Sequence, residues 1–168
     1  MNIFIIARGY PSKQDSTWGC FEKDQAEALY SLGHQVTILS VDTRFRFYWR
    51  KLGVQCAMHN NIATFNIFLM PYALLFFLPK KIKEWFYAWQ LEILYKRATL
   101  QNGTPDVIYS HYLSNTLKAI PLRKKYNIPI VAMEHWSQMA YSPIPKNTMP
   151  STMKKPQRSL WYFLQRQA

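Results

Sequence analysis

Near the amino terminus, a short continuous hydrophobic run gives way to a helical period and then to a second hydrophobic run. Asn2–Ala7 is apolar and is followed by a turn with Gly and Pro, which predicts a buried strand. We expect Ser16 or Thr17 to cap the following helix and Gly33 to end it, before a second strand at Gln35–Val41. The apolar face predicted for this helix consists of Phe21, Ala28, Leu29 and Leu32. The segment therefore predicts a right-handed βαβ unit in a parallel sheet.

The same alternation returns near the other end of the chain. It predicts a strand at Asp106–Ser110, a helix from about Ser114 to Tyr126 and a strand at Ile130–Glu134. Pro121 lies inside that helix and should bend it, because proline removes one backbone hydrogen bond. Two such units predict an α/β fold: a Rossmann-like parallel sheet with helices on both faces.

Further elements are predicted between and after the two units. A strand at Gly53–Met58 precedes a basic amphipathic helix at Lys80–Gln101. The predicted apolar side of that helix is Ile82, Trp85, Phe86, Trp89 and Ile93. Tyr141–Gln157 contains four prolines and predicts a loop, followed by a helix at Leu160–Gln167. We expect one Rossmann-like domain over residues 1–150, with 151–168 starting a connecting helix toward a further domain.

Leu52–Pro79 contains no Lys, Arg, Asp or Glu and has three interpretations. A membrane-spanning helix is opposed by Pro71 and by several asparagines, which interrupt the apolar run. A loop on a membrane surface is favoured by flanking basic and aromatic residues, and a buried loop in a larger protein is the third option. The membrane-surface candidates are Arg44, Arg46, Trp49, Arg50 and Lys51.

Composition narrows the class of protein. The chain has 168 residues, of which 49% are hydrophobic and 16% aromatic, which excludes intrinsic disorder and a coiled coil. A net charge of +12 favours a phosphate-bearing partner: nucleic acid, anionic lipid or a phosphorylated small molecule. Cys20 and Cys56 match no metal-ligand spacing and favour a reducing compartment. Because the first apolar run is too short for a signal peptide, we expect a cytoplasmic protein.

Candidate chemistry lies directly after the strands, where parallel α/β sheets bind ligands. Gly9 and Gly19 would let backbone N–H groups approach a phosphate, although the pattern is neither a dinucleotide nor a P-loop fingerprint. His135 follows a strand and is the candidate for proton transfer or for binding a ligand hydroxyl. Glu134 could instead anchor its loop, and His111 could pack internally. The candidate lining residues are Glu134, Trp136, Ser137, His111 and Tyr10. No metal site is predicted.

Several of these segments together resemble the amino-terminal domain of family 4 glycosyltransferases. The segments are IIARGYP at 5–11, WGCFEKDQAEAL at 18–29, LGHQVT at 32–37, PDVIYSHY at 105–112, YNIPIV at 126–131 and EHWS at 134–137. The resemblance covers most of residues 1–137, whereas 44–103 carries no motif that aligns.

The resemblance implies one half of a GT-B architecture, the half that holds the acceptor. It implies that Gly9 and Gly19 lie near the donor phosphate and that His135 contacts the donor sugar at the reacting face. It also implies a retaining, hexosyl-transfer type of reaction without metal or cofactor, with a nucleotide sugar as donor and a saccharide or lipid-linked acceptor. The product would be a polysaccharide or glycolipid made at the inner membrane face. Since the family's second-domain cationic and glutamate residues are absent, we expect this segment alone to be inactive.

Two other classes of function remain open from the sequence. One is a non-catalytic Rossmann-like module that binds a nucleotide, nucleic acid or an anionic membrane surface. The other is a single-stranded nucleic-acid binder, suggested only by charge and aromatic content. Under the glycosyltransferase interpretation, no nucleic-acid partner is expected.

Overall fold

The computed structural model describes residues 1–46, 49–71, 74 and 77–134. Its elements, in chain order, are β1 Asn2–Ala7, α1 Cys20–Ser31, β2 Gln35–Val41, β3 Gly53–His59, β4 Ile62–Phe68, α2 Lys80–Asn102, β5 Val107–His111, α3 Leu113–Tyr126 and β6 Ile130–Met133. All elements predicted within these residues are present, with ends that differ by only a few residues, and β4 is an addition. α3 is continuous through Pro121. The loop and helix predicted beyond residue 140 lie outside the described residues.

The strands form one six-stranded sheet in the order β3-β4-β2-β1-β5-β6. β1 pairs in parallel with β2, where Asn2 is opposite Gln35, and with β5, where Ile3 is opposite Val107. β4 and β6 extend the parallel pairing on the two sides. β3 is antiparallel to β4, so one edge strand departs from the predicted parallel arrangement. The predicted Rossmann-like α/β class is confirmed.

Two hydrophobic cores lie on opposite faces of this sheet. Phe4 and Ile6 of β1 pack toward α2 and α3, whereas Ile3 and Ile5 belong to the core on the α1 side. Because successive side chains of a strand point to opposite faces, a strand covered on both sides must be apolar at every position. This explains the continuous apolar run of β1 and places helices on both faces, as predicted.

The buried face of α1 differs from the predicted one. Phe21 is 58% exposed and Leu32 is 72% exposed, while Glu22 and Ala26 are buried and Leu29 packs partly against the core. The helix also begins later than expected, with Gly19 at its N-cap in place of Ser16 or Thr17. The periodicity was correct, but the helix is rotated so that the Glu22 carboxylate points inward. Its ion-pair partner is Arg8.

α2 is likewise rotated relative to the prediction. Its buried residues are Tyr87, Gln90, Leu91, Leu94, Tyr95 and Ala98. Three residues of the predicted apolar side are exposed: Ile82 at 45%, Trp85 at 66% and Trp89 at 43%. The buried face carries tyrosines and a glutamine, whose polar ends masked it in the sequence pattern.

The uncharged segment after Leu52 forms a hairpin over much of its length. β3 and β4 pair from Gly53 opposite Phe68 to His59 opposite Ile62. Among the described residues, no helix has the length and apolar character needed to cross a bilayer. The interpretation as a spanning helix therefore has no support in this part of the chain.

Asn60 and Asn61 form the two-residue connection of that hairpin, with φ angles of 49° and 64°. Positive φ at both central positions is what a type I′ turn requires, and asparagine and glycine tolerate it best. We predict that Asn61→Val lowers the free energy of unfolding by about 1–2 kcal/mol, because a β-branched residue is strained there. Asn61→Gly should preserve stability or raise it. Urea unfolding of the three proteins tests this, and a valine variant as stable as the parent would contradict it.

Candidate functional site

The carboxyl ends of the parallel strands β1, β2, β4, β5 and β6 meet at one side of the sheet, here called the carboxyl edge. After β1 the chain crosses to β2 on one side, whereas β5 pairs with β1 on the other side. This is the switch point of an open α/β sheet, where a crevice forms between diverging loops. The loops after β1 and β5 flank it.

An ion pair between a half-buried arginine and a buried glutamate fixes the first residue after β1. The Arg8 Nε donates to Glu22 Oε1 at 3.0 Å, and the Arg8 backbone N–H donates to the same oxygen at 3.2 Å. Glu22 is fully buried, in the first turn of α1. Burial favours its neutral form, but the hydrogen bonds from Arg8 and from the Glu22 backbone, together with the charge of Arg8, outweigh burial and lower the pKa of Glu22. The pair therefore locks the β1 loop to the start of α1.

Trp18 is the aromatic centre of this region. Its indole Nε1 donates to the Arg8 carbonyl at 2.9 Å. The guanidinium carbon of Arg44 lies 3.5 Å from the centre of its ring, and that of Arg8 lies 4.9 Å away. Arg8 also stacks on Tyr112 of the β5 loop, at 4.1 Å. These cation–π contacts connect the loops on both sides of the crevice.

The structure brings Gly9 and Gly19 together and gives each a packing role. A Cβ atom on Gly9 would lie 2.4 Å from Trp18 Cδ1, and one on Gly19 would lie 2.4 Å from the Gly9 carbonyl oxygen. Gly19 also has a φ of 82°. Both positions thus need glycine for close approach and, at Gly19, for backbone conformation. Their predicted role at a donor phosphate stays a prediction.

The predicted membrane-surface arginines lie in an ion-pair network at this edge. Arg44 contacts Asp42 through Nε and Nη2 at 2.9 and 2.7 Å and reaches Asp15 at 2.9 Å. Arg46 also pairs with Asp15, and Arg50 pairs with Asp42 at 2.6 Å. Burial raises the pKa of Asp42, while Arg50 and Arg46 act to lower it. Trp49, by contrast, is fully exposed, and Lys51 is exposed too.

A pocket of about 250 Å³ lies beside this network, here called the Trp18 pocket. Its lining includes both predicted and unpredicted residues: Gly9, Tyr10, Ser12, Gln14, Asp15, Trp18, Asp42, Arg44, Trp49, Arg50, Lys51, Gln55 and Asn66. Tyr10 stacks on His59 with ring centres 4.6 Å apart. Ser40 donates to the Asn66 side-chain oxygen at 3.1 Å. The pocket is therefore aromatic and polar, with charges of both signs.

Two predicted lining residues have structural positions instead. His111 is completely buried at the end of β5, with its ring edge against Tyr109 at 4.9 Å. A buried ring cannot contact an acceptor in this conformation, so the lining role predicted for His111 is not supported. Glu134 accepts a hydrogen bond from the Leu113 N–H at 3.0 Å and so satisfies a free donor at the start of α3.

Tyr112, the residue before α3, lies at the crevice and has a φ of 65°, which is a strained value for a non-glycine residue.

His135, Trp136 and Ser137 lie outside the described residues, and their predicted roles stay predictions.

Sequence reasoning missed Trp18, Asp15, Asp42 and Asn66. Trp18 and Glu22 stood in a quoted motif without a role of their own. An acidic residue directly after a strand, as at Asp42, was an available signal, but its partners are set by the fold. Within the described ranges, no group of histidine, cysteine and carboxylate side chains could hold a metal ion.

The family model described as Glycosyltransferase Family 4 matches residues 23–168. The chain belongs to Glycosyltransferase Family 4. The predicted resemblance is thereby confirmed at the level of the family. A search of curated proteins found no match to this sequence.

Solved structures support the same assignment through the fold. A form of sucrose-phosphate synthase from Thermosynechococcus elongatus has a TM-score of 0.50 at 14% identity, covering 83% of this chain and 66% of that one. Another structure of that enzyme has a TM-score of 0.50 at 15% identity, covering 87% of this chain and 36% of that one. The catalytic domain of Starch Synthase IV from Arabidopsis thaliana, bound to ADP and acarbose, has a TM-score of 0.50 at 15% identity. The match covers 80% of this chain and 33% of that one.

These relatives are GT-B glycosyltransferases, and the chain spans from one third to two thirds of their length. The sheet of this family 4 protein therefore corresponds to one Rossmann-like half of a GT-B architecture. Family and fold together support a role in glycosyl transfer.

The close approach at Gly19 can be separated from its backbone strain, because Gly33 has nearly the same φ, 84°, in open space. We predict that Gly33→Ala costs about 1 kcal/mol of stability. Gly19→Ala should cost about 3 kcal/mol or more, since its Cβ also collides with the Gly9 backbone. Chemical denaturation of both variants measures the difference. Equal losses would show that the Gly9–Gly19 contact can relax at no cost.

The Arg8–Glu22 pair predicts a pH-dependent stability. Since the pKa of Glu22 is lowered on folding, its stabilisation is present above the unfolded pKa and is lost as pH falls toward the folded value. We predict that Glu22→Gln lowers the free energy of unfolding near pH 7 by about 2–4 kcal/mol and reduces its decline below about pH 5.

Glu27→Gln is the matched control on the same helix. Its ion pair with Lys23 spans 3.6 Å and is one-third exposed on both sides, so its loss should change stability by less than about 1 kcal/mol. Denaturation curves collected from pH 3 to 8 make the comparison. If the two glutamine variants show the same pH dependence, Glu22 is not the group responsible.

Proposed function

We propose that this chain supplies the acceptor-side half of a retaining glycosyltransferase. The enzyme would move a hexosyl group from a nucleotide sugar to a saccharide or lipid-linked acceptor in polysaccharide or glycolipid synthesis, on the cytoplasmic side of a membrane. The observation that carries this proposal is the Trp18 pocket at the carboxyl edge, because its chemistry suits a sugar.

The lining of the pocket matches both surfaces of a sugar ring. Aromatic rings such as Trp18 and Tyr10 can cover the apolar C–H face of a pyranose. Carboxylate, guanidinium and amide groups, as in Asp42, Arg44 and Asn66, pair well with hydroxyls. At about 250 Å³ the pocket is smaller than the roughly 300–1,000 Å³ typical of drug-sized ligands, which favours a single sugar ring.

The charge of the pocket favours an acceptor over a nucleotide diphosphate. Asp15 and Asp42 neutralise much of the positive charge of the arginines, at distances of 2.6–2.9 Å. A diphosphate would meet these carboxylates, whereas neutral hydroxyls can both donate to them and accept from the arginines. The pocket is thus better suited to an uncharged saccharide.

We assign donor binding and leaving-group stabilisation mainly to a second domain. The chain spans 33% and 36% of two relatives that are glycosyltransferases, which leaves room for such a domain in the complete enzyme. His135, two residues beyond β6, would act on the donor sugar, and the Gly9 and Gly19 backbone would approach the donor phosphate. Electrostatic stabilisation of the departing phosphate would need no metal ion.

The test is steady-state kinetics of the complete protein, after nucleotide sugars and acceptors have been screened for transfer. We predict that Tyr10→Ala raises the KM for the acceptor about tenfold, because stacking on the sugar is lost, and leaves the KM for the donor unchanged. His135→Ala should lower kcat about a hundredfold or more with little change in the acceptor KM.

Tyr30→Ala is the control, because Tyr30 is an exposed tyrosine on α1 outside the pocket. It should leave both constants unchanged. A Tyr10 variant with normal acceptor KM would remove the pocket from acceptor binding. If no sugar is transferred while nucleotides still bind, a non-catalytic binding module becomes the better description.

A further inference from the structure

One face of α2 exposes an apolar stripe. Ile82, Trp85 and Trp89 follow the i, i+3, i+7 spacing of a helix face and are 43–66% exposed. Trp85 and Trp89 border a groove of about 780 Å³ between α2 and α3, whose apolar lining on the α3 side is Leu117, Pro121 and Leu122. Together these residues form a contiguous apolar surface, which isolated exposed hydrophobic side chains do not.

Basic residues gather at the start of the same helix. Lys80, Lys81 and Lys83 all fall within the first four residues of α2, and its first turn has no acidic residue. Positive side chains at a helix N-terminus oppose the helix dipole, so this arrangement does not stabilise the helix. The groove itself carries charges of both signs, from Lys80, Lys118, Glu84 and Glu92. Lys80 pairs with Glu84 at 3.4 Å, but Lys81 lies in no ion pair among the described residues, and an anionic surface outside the protein would supply its counter-charge.

The lysine–tryptophan face, defined as Lys80, Lys81, Ile82, Trp85 and Trp89, lies toward the carboxyl edge. The opposite end of α2 is tied to the start of β1, where the Asn2 side chain donates to the Asn102 carbonyl at 3.0 Å. At about 1.5 Å per residue, a helix of 23 residues extends about 35 Å from there. Exposed Met70, Leu74 and Phe77 precede the helix and add apolar area near its first residue.

We propose that the lysine–tryptophan face lies flat on an anionic membrane surface. Tryptophans would enter the headgroup region while lysines contact the lipid phosphates, which is the pattern of an interfacial helix. The membrane surface predicted from the sequence, around Arg44, Arg46 and Arg50, is less suitable. These arginines are already paired with Asp15 and Asp42. This proposal goes beyond the proposed function and does not depend on glycosyl transfer.

The experiment is co-sedimentation of the complete protein with vesicles at low salt. One set contains phosphatidylcholine alone and the other an equimolar mixture with phosphatidylglycerol. We expect binding to the anionic vesicles that weakens with added salt. Trp85→Ala should weaken it about tenfold, and Lys81→Gln about fivefold.

Two control variants locate the surface. Leu100→Ala alters an 86%-exposed apolar residue at the far end of α2 and should bind like the parent. Trp49→Ala alters the fully exposed tryptophan of the alternative surface and should also bind like the parent. Thermal unfolding shows that each variant is folded, which is expected because all four side chains are exposed.

Three results would overturn the proposal. Absence of binding to anionic vesicles removes the membrane as partner. Binding that is lost in Trp49→Ala but kept in Trp85→Ala would place the membrane contact on the surface around residues 44–51. Concentration-dependent self-association that Trp85→Ala abolishes, without vesicle binding, assigns the face to a second copy of the chain. Since none of these readouts measures transfer, failure here is distinguishable from failure of the proposed function.

Discussion

The double burial of β1 is the constraint on which the other elements depend. β1 pairs on both edges and packs on both faces, and after Asn2, whose side chain bonds to the end of α2, all of its side chains are apolar. Helices must therefore cover both faces, and the chain must change direction around β1. This change of direction opens the crevice at the carboxyl edge, and Arg8 lies in that crevice. The position of the site follows from the burial of this strand.

The Arg8–Glu22 pair buries a carboxylate, which is energetically unfavourable. A carboxylate occupies a buried position of α1 where a helix packed on a sheet would ordinarily place an apolar side chain, and Glu22 Oε2 has no hydrogen-bond partner within the described part of the chain. Replacing such a pair by hydrophobic residues is often neutral or stabilising, so its retention is not explained by stability alone. Its geometric effect is specific: it holds Arg8 between Trp18 and Tyr112. Local violations of this kind concentrate at functional sites.

The parts of the fold that were predictable are those dominated by one periodicity. β1 is an apolar run that ends before Gly9, and β2 is a segment rich in β-branched residues that follows the helix-ending Gly33, so their positions followed from the sequence. The rotation of α1 and α2 did not, because buried Glu22, Tyr87 and Gln90 look polar while exposed Trp85 looks apolar. β4 was hidden because Thr64 and Asn66 within it, and Asn60 and Asn61 before it, resemble a loop. At the site, Gly9 and Tyr10 were predicted from their position after a strand and Gly19 from its position at a helix start. The roles of Asp15 and Asp42 depend on arginines that only the fold brings next to them.

The distribution of charge separates two kinds of positive residue in one basic protein. At the carboxyl edge the arginines are held by carboxylates and stacked on aromatic rings, which fixes planar donors in defined directions and leaves little net charge. On α2 three lysines lie within the first four residues, and the acidic residue that follows them, Glu84, pairs with Lys80, which leaves an excess of positive charge. Oriented, compensated guanidinium groups suit recognition of neutral hydroxyls, while a diffuse ammonium cluster suits a surface of many phosphates. A net charge of +12 therefore does not by itself describe a phosphate site, because these two surfaces hold their basic residues in different chemical settings.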